Sequence, residues 1–265
     1  MTAARRLGLD AAVTAYTGFD GEPAVAVTRY DRILGADGRV QRVHQEDMCQ
    51  ALAVFPRDKY EFDCGPRAAR LVATLEQSGL PETRNDNADR FIDALVYNYL
   101  IGAPDAHAKN YSVLLAGDQV KFAPPYDVAS GLPFDRRGHE GLGSAAMSIG
   151  GEKRFGKVVR RYGEQFAAEV GREPESLLAR VREMAERIPD TLAEFMYEPE
   201  IVGPAGELRP RLLDRVADPC STTCVQLDGG PASRRSSPVR CPRGAVRADA
   251  RSRAQRGARQ PESPS

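Results

Sequence analysis

Tyr97–Asp127 reads YNYLIGAPDAHAKNYSVLLAGDQVKFAPPYD, and the order of polar and apolar residues in this stretch decides the fold. The apolar run ending at Ile101 is the end of a helix. Gly102 lets the backbone turn left-handed there, and Pro104 cannot continue the helical hydrogen bonding. Asp105, His107, Lys109 and Asn110 then crowd into six residues. Apolar residues return in YSVLLAGDQVKFAP, which predicts a β-hairpin turning at Gly117–Asp118. Polar groups this dense between a buried helix and a hairpin are seldom needed for folding, and loops on rigid elements are where chemistry is presented.

Four residues separate Asp105 from Asn110, a D-x-x-x-x-N spacing, and Asp127 follows beyond the hairpin. That trio suits phosphoryl transfer. One carboxylate can orient and deprotonate an attacking hydroxyl, while Asn and Asp oxygens hold Mg²⁺ against a triphosphate. The plain alternatives are a loop Asp with a turn Asn, an Asp127 that merely ends a hairpin, a His107 that fixes the loop, and a solvated Lys109.

Working outward, residues 2–9 read as a helix closing at Gly8. The runs AVTAY and AVAVTRY around TGFDGEP predict a β-hairpin, because Gly and Asp tolerate positive φ. From HQEDMCQALAV onward the pattern turns helical, with His44, Glu46 and Asp47 as a polar start. AARLVATLEQSG is a second helix ending at Gly79, and a third, about Ala88 to Ile101, is apolar nearly all round, as a central core helix would be. The rest of the body is expected to be helical, with EQFAAEVG and then Pro174 to Met196, where Leu177, Leu178, Val181, Met184 and Ile188 form a stripe.

The formal net charge is zero, yet residues 217–265 hold nine Arg, no Lys and four acids, so the tail is basic and the preceding body mildly acidic. Aromatic residues stop at Tyr197, and the tail's Arg, Ser, Pro, Ala and Gly composition predicts disorder. No run of 18 or more apolar residues and no signal-peptide core occur, so no membrane association and a cytoplasmic location are expected. Zero net charge does not announce a nucleic-acid partner, so direct nucleic-acid binding is not expected, a basic tail that recruits nucleic acid being the alternative. The five Cys lack framework spacing and read as free thiols.

The wording of four blocks is more specific than any spacing. LIGAPDAHAKNYS, PPYDVAS, HQEDMCQALAV and AAMSIGG together resemble the C-terminal lobe of the HipA family of bacterial serine/threonine kinases, the toxin components of HipA/HipB-type toxin–antitoxin systems. The resemblance spans roughly residues 1–200. It implies ATP and Mg²⁺ as cofactors, with Asp105 as catalytic base, His107 and Lys109 on the nucleotide side of the loop, and Asn110 and Asp127 as metal ligands. AVTRYDR resembles the segment joining the two kinase lobes, which would bring the backbone of Thr28, Arg29 and Tyr30 to the adenine; Thr28 departs from the family's usual Glu. The implied partners are a protein bearing a Ser/Thr hydroxyl, a HipB-like antitoxin and a separate N-lobe polypeptide. A kinase also needs a Gly-rich loop over the phosphates and a strand Lys, both upstream of the lobe-joining segment. The first Lys is Lys59. A truncated chain, impaired without its N-lobe, is therefore expected.

The expected fold is α+β and mainly α-helical: a protein-kinase-like C-lobe with short β-hairpins and a disordered C-terminal tail. The expected organisation is a lobe-joining remnant with a hairpin at 1–35, the C-lobe at 36–215 and the basic tail at 216–265. Two other functions fit parts of the pattern: a non-catalytic module binding an antitoxin or a separate N-lobe, and a metal-dependent phosphoesterase built on Asp105, His107 and Asp127.

Overall fold

The structure, a computed structural model, describes residues 1–134 and 142–229. Short strands come first and long helices last. Helix α1 (Thr2–Arg6) ends as expected at Gly8, whose φ is +94°. Strands β1 (Thr14–Phe19) and β2 (Glu22–Val27) form the expected hairpin, turning through Asp20 and Gly21, both at positive φ. A second small hairpin, β3 (Arg32–Leu34) with β4 (Val40–Arg42), escaped the sequence reading because three-residue strands carry too little alternation.

The polar stretch read as a helix start is instead strand β5 (His44–Asp47), and only α2 (Met48–Ala51) is helical. Pairing overrides local pattern here. Asp47 then caps α2 reciprocally with Gln50: its side chain accepts the Gln50 N–H at 2.9 Å, and the Gln50 side chain accepts the Asp47 N–H at 2.9 Å.

Helix α3 (Ala68–Gln77) leads to α4 (Pro81–Leu100), which begins seven residues before the expected Ala88. Pro81 fits a first turn, where its missing N–H costs nothing. Strands β6 (Ser112–Ala116) and β7 (Gln119–Phe122) are the predicted hairpin, and β5 joins them in the order β5-β6-β7. Asn87 of α4 fastens the β7 edge: its Nδ2 donates to Val120 O at 2.8 Å and its Oδ1 accepts the Phe122 N–H at 2.7 Å. Behind this sheet Phe91, Tyr111 and Phe122 pack with ring centroids 5.0, 6.0 and 6.3 Å apart.

A further hairpin, β8 (Ser144–Ile149) with β9 (Glu152–Arg154), interrupts the stretch expected to be wholly helical. Buried on nearly every residue, β8 shows no in–out alternation to betray it. Helices α5 (Arg160–Glu169) and α6 (Pro174–Met196) match the periodicity, and α7 (Pro199–Ala205) follows.

Helix α8 (Leu208–Leu227) runs across the boundary drawn at residue 216, so residues 216–229 belong with the body rather than with the tail. Val216, Cys220, Thr223 and Leu227 are buried at helical spacing against the body, a stripe that the abrupt change of composition masks. The rest of the expected tail, 230–265, lies outside the described residues. Cys49, Cys220 and Cys224 are free thiols as read, and burial pushes the Cys220 thiol up to about 12. Cys64, in an exposed turn, is disulfide-bonded, against the free-thiol reading. Among the described residues no helix is long and apolar enough to cross a membrane.

Candidate active site

Helix α4 ends where the quoted stretch requires. Gly102 sits at φ +67°, and a Cβ there would lie 2.2 Å from Leu132 Cγ, so the residue is demanded twice over. The turn is closed by the Ala103 N–H donating to Asn98 O at 2.8 Å, and Asn98 Nδ2 in turn holds Tyr111 Oη at 3.0 Å. Asp105 emerges with its side chain 63% exposed.

Asn110 binds the loop back onto itself: its Nδ2 donates to Asp105 O at 2.7 Å. That bond uses the amide nitrogen and leaves Oδ1 as an acceptor. Asp127 is exposed, and among the described residues no side chain or backbone group donates to it. The segment that carries it is pinned to the loop, because the Tyr126 hydroxyl donates to Lys109 O at 2.8 Å. An amide oxygen and a free carboxylate are hard donors, of the kind Mg²⁺ takes alongside phosphates and water. No group of three or more His, Cys, Asp or Glu among the described residues could hold a metal by itself.

His107 is 4% exposed, with Nε2 3.7 Å from Asp105 Oδ1. Burial lowers its pKa, and the Asp105 charge opposes that only in part, so the ring is neutral near pH 7. Its Nδ1 is buried without a partner among the described residues. Lys109 is half-buried and contributes its backbone carbonyl to the Tyr126 bond.

Residues 28–30, expected to join the lobes, come near the site through the Tyr30 ring, which lies 6.1 Å from Tyr126, centroid to centroid. The Thr28 N–H is already given to Val13 O at 2.9 Å, whereas Arg29 and Tyr30 make no backbone–backbone hydrogen bond among the described residues. The Arg29 guanidinium turns away onto Asp31, at 2.7 and 2.6 Å.

Two residues at this site are missing from the sequence reading. The Tyr60 hydroxyl donates to Asp105 Oδ1 at 2.6 Å, and Glu61 takes both the N–H and the hydroxyl of Ser148, at 2.6 and 2.8 Å. Their only signal is a polar–aromatic pair followed by Gly65-Pro66, a turn that brings distant chain to the loop.

This fold and loop define a kinase-like C-lobe. Residues 1–192 match the family model described as the HipA-like C-terminal domain, and the chain belongs to that family. Among curated proteins, the chain is 36% identical over 172 residues to one named "Putative kinase Y4mE" from Sinorhizobium fredii, covering 64% of this chain and 39% of that one. It is 28% identical over 207 residues to "Serine/threonine-protein kinase toxin HipA" of Shewanella oneidensis, covering 74% and 46%. The chain thus spans less than half the length of these relatives.

Among solved structures, the Shewanella oneidensis HipA–HipB–operator DNA complex contains a chain that superposes with TM-score 0.71 at 25% identity, covering 86% of this chain and 54% of that one. The Helicobacter pylori proinflammatory kinase CtkA shares the fold, with TM-score 0.51 at 13% identity, covering 84% and 82%.

Proposed function

We propose that the chain is the C-lobe of a HipA-like serine/threonine protein kinase acting in a toxin–antitoxin pair. One observation carries this reading: a single loop exposes the Asp105 carboxylate, is closed by Asn110 and is bonded through Tyr126 to the segment bearing Asp127. Bound Mg²⁺–ATP would supply the transferable γ-phosphoryl group and the charge neutralisation of its oxygens. Asp105 orients the acceptor hydroxyl and takes its proton. Asn110 and Asp127 hold the metal. The backbone of Arg29 and Tyr30, free of the β1–β2 ladder, meets the adenine, and neutral His107 packs beneath the loop and keeps it in shape. The substrate is a protein Ser/Thr hydroxyl, and a HipB-like antitoxin is the regulatory partner.

Calorimetric titration with Mg²⁺–ATP tests the metal half of this reading. Asp127→Asn is expected to weaken binding in a way that raised Mg²⁺ partly restores, while Asp105→Asn leaves affinity unchanged. Equal affinity in wild type and Asp127→Asn at every Mg²⁺ concentration would remove Asp127 from the site.

A second reading, a non-catalytic module that docks on an antitoxin or a separate N-lobe, is favoured by the exposed Tyr16, Phe19, Val25, Ile33, Leu34 and Val40 on the two N-terminal hairpins. Docking through these hairpins is compatible with the kinase reading, because the two hairpins flank the Thr28–Tyr30 segment. The absence of a three-ligand cluster among the described residues leaves the phosphoesterase reading without support.

A further inference from the structure

The two oxygens of Asp105 are not equivalent. Oδ1 accepts the Tyr60 hydroxyl at 2.6 Å and faces His107 Nε2 at 3.7 Å, whereas nothing among the described residues donates to Oδ2. Tyr60 comes from 45 residues earlier in the chain, and its own placement is built from several sides.

Its carbonyl accepts the N–H groups of Asp63 and Gly65, at 3.1 and 2.9 Å, closing a tight turn. A Cβ at Gly65 would fall 2.2 Å from Asp58 O and 2.5 Å from Tyr60 O, so only glycine permits that turn. On one side Lys59 O meets the Ala108 N–H of the site loop at 3.5 Å; on the other, Glu61 is fastened to Ser148. The Tyr60 ring stacks on Phe62 at 5.0 Å and meets the His107 ring edge-on at 4.9 Å. The phenol is therefore aimed at Oδ1 by the fold.

We propose that Tyr60 is a positioning residue for the candidate base: its hydroxyl fixes Oδ1 of Asp105 and leaves Oδ2 as the oxygen that receives the acceptor's proton. The proposal rests on the kinase reading above. As Oδ2 takes the proton from a Ser/Thr hydroxyl, the acceptor oxygen bonds to the γ-phosphorus of a nucleoside triphosphate, and the bond from that phosphorus to the bridging oxygen breaks, releasing the diphosphate. Tyr60 keeps its proton throughout. The hydrogen bond to Asp105, with burial and the carboxylate charge, holds the phenol up at about 12, so it remains a donor across the neutral range. A misoriented carboxylate costs rate rather than affinity, and misplacement of about 1 Å can cost on the order of a hundredfold.

Two measurements test this. In the first, a difluorotyrosine placed at position 60 of the full chain brings phenol ionisation into the neutral range, where the fold is intact. Its ionisation is expected to be at least tenfold easier, about one pH unit lower, in the Asp105→Ala background than with Asp105 present. Identical ionisation in the two backgrounds means that the bond does not exist and overturns the proposal.

In the second, Tyr60→Phe keeps the ring and its packing. It is expected to lower kcat for phosphorylation of a protein hydroxyl roughly tenfold to a hundredfold, with the nucleotide KM and the melting temperature unchanged. An unchanged kcat overturns the proposal, as does a KM effect alone. Both turnover assays are run with an N-lobe polypeptide supplied; under that condition full turnover in Asp105→Asn, or no transfer by the wild type, is a failure of the kinase reading instead. In that event the ionisation measurement still decides whether Tyr60 governs Asp105.

Discussion

The loop after α4 and the two N-terminal hairpins spend their residues in opposite ways. Around the loop, large side chains such as Phe91, Tyr111 and Phe122 are fully buried, while polar groups such as Asn98, Asn110 and Tyr126 are bonded to the backbone or to each other. On the hairpins Phe19 is 67% and Leu34 72% exposed, and among the described residues the strands pair only within their own two-stranded sheets. The first region satisfies most of its groups within its own chain; the second leaves apolar side chains exposed. The proposed chemistry falls to the loop and the proposed association to the hairpins, and the two regions meet where Tyr30 lies beside Tyr126.

The division breaks most sharply at Asp105. With an N-lobe supplied in trans or by fusion, Asp105→Asn is expected to lower phosphoryl transfer to a protein hydroxyl by roughly 10²–10⁴-fold while melting is unchanged, measured by phosphate incorporation and thermal denaturation. Full transfer would take Asp105 out of the reaction and leave the loop as mere structure.

Next in size is a paired truncation of aromatic rings. Phe91→Ala, in the fully buried cluster, is expected to cost about 3–5 kcal/mol in chemical denaturation. Phe19→Ser is expected to fall within about 0.5 kcal/mol, since its side chain is already in water. The second substitution should instead weaken association with an antitoxin or N-lobe polypeptide in a pull-down. A stability loss at Phe19 equal to that at Phe91 would erase the contrast between the regions.

Ending the chain after Arg215 tests the other end of the body. The loss of Val216, Cys220, Thr223 and Leu227 from their packing is expected to lower the melting temperature by roughly 2–4 °C for each kcal/mol removed. An unchanged melting curve would return residues 216–229 to the tail.

The smallest effect is the acid limb of stability. Hydrogen bonds from Arg29, and then from Arg32, hold the Asp31 carboxyl down to about 2 against an ordinary 3.8. A depressed carboxyl contributes stability that is complete above its unfolded-state value and is lost as pH falls through the folded one. The loss from this residue therefore falls between about pH 4 and pH 2, and Asp31→Asn is expected to flatten the stability profile there. Its size is small, because the Arg29 side chain is 62% exposed and solvent screens the pair.

What the sequence discloses follows from how locally each feature is determined. The helix before Gly102, the β6–β7 hairpin and Pro174–Met196 were legible because periodicity and turn residues act within a few positions. His44–Asp47 was not, since its strand state is decided by pairing with Ser112–Leu115, far along the chain. α8 was hidden for a different reason: its stripe is sound, but it is written in Val, Cys, Thr and Leu amid a composition that signals disorder. The site loop was legible as a motif, whereas Tyr60 was not, because no spacing in the sequence links it to Asp105.

The carboxamide of Asn87 has a consequence beyond holding α4 to the sheet. By offering one donor and one acceptor to Val120 and Phe122, it stands in for the next strand along part of β7. An open strand edge invites intermolecular pairing and fibril growth, and a side chain that occupies its hydrogen-bonding positions denies that template to a neighbouring molecule. A protein that leaves so much apolar surface uncovered on its hairpins has reason to close this second route to aggregation, and it does so with a single residue.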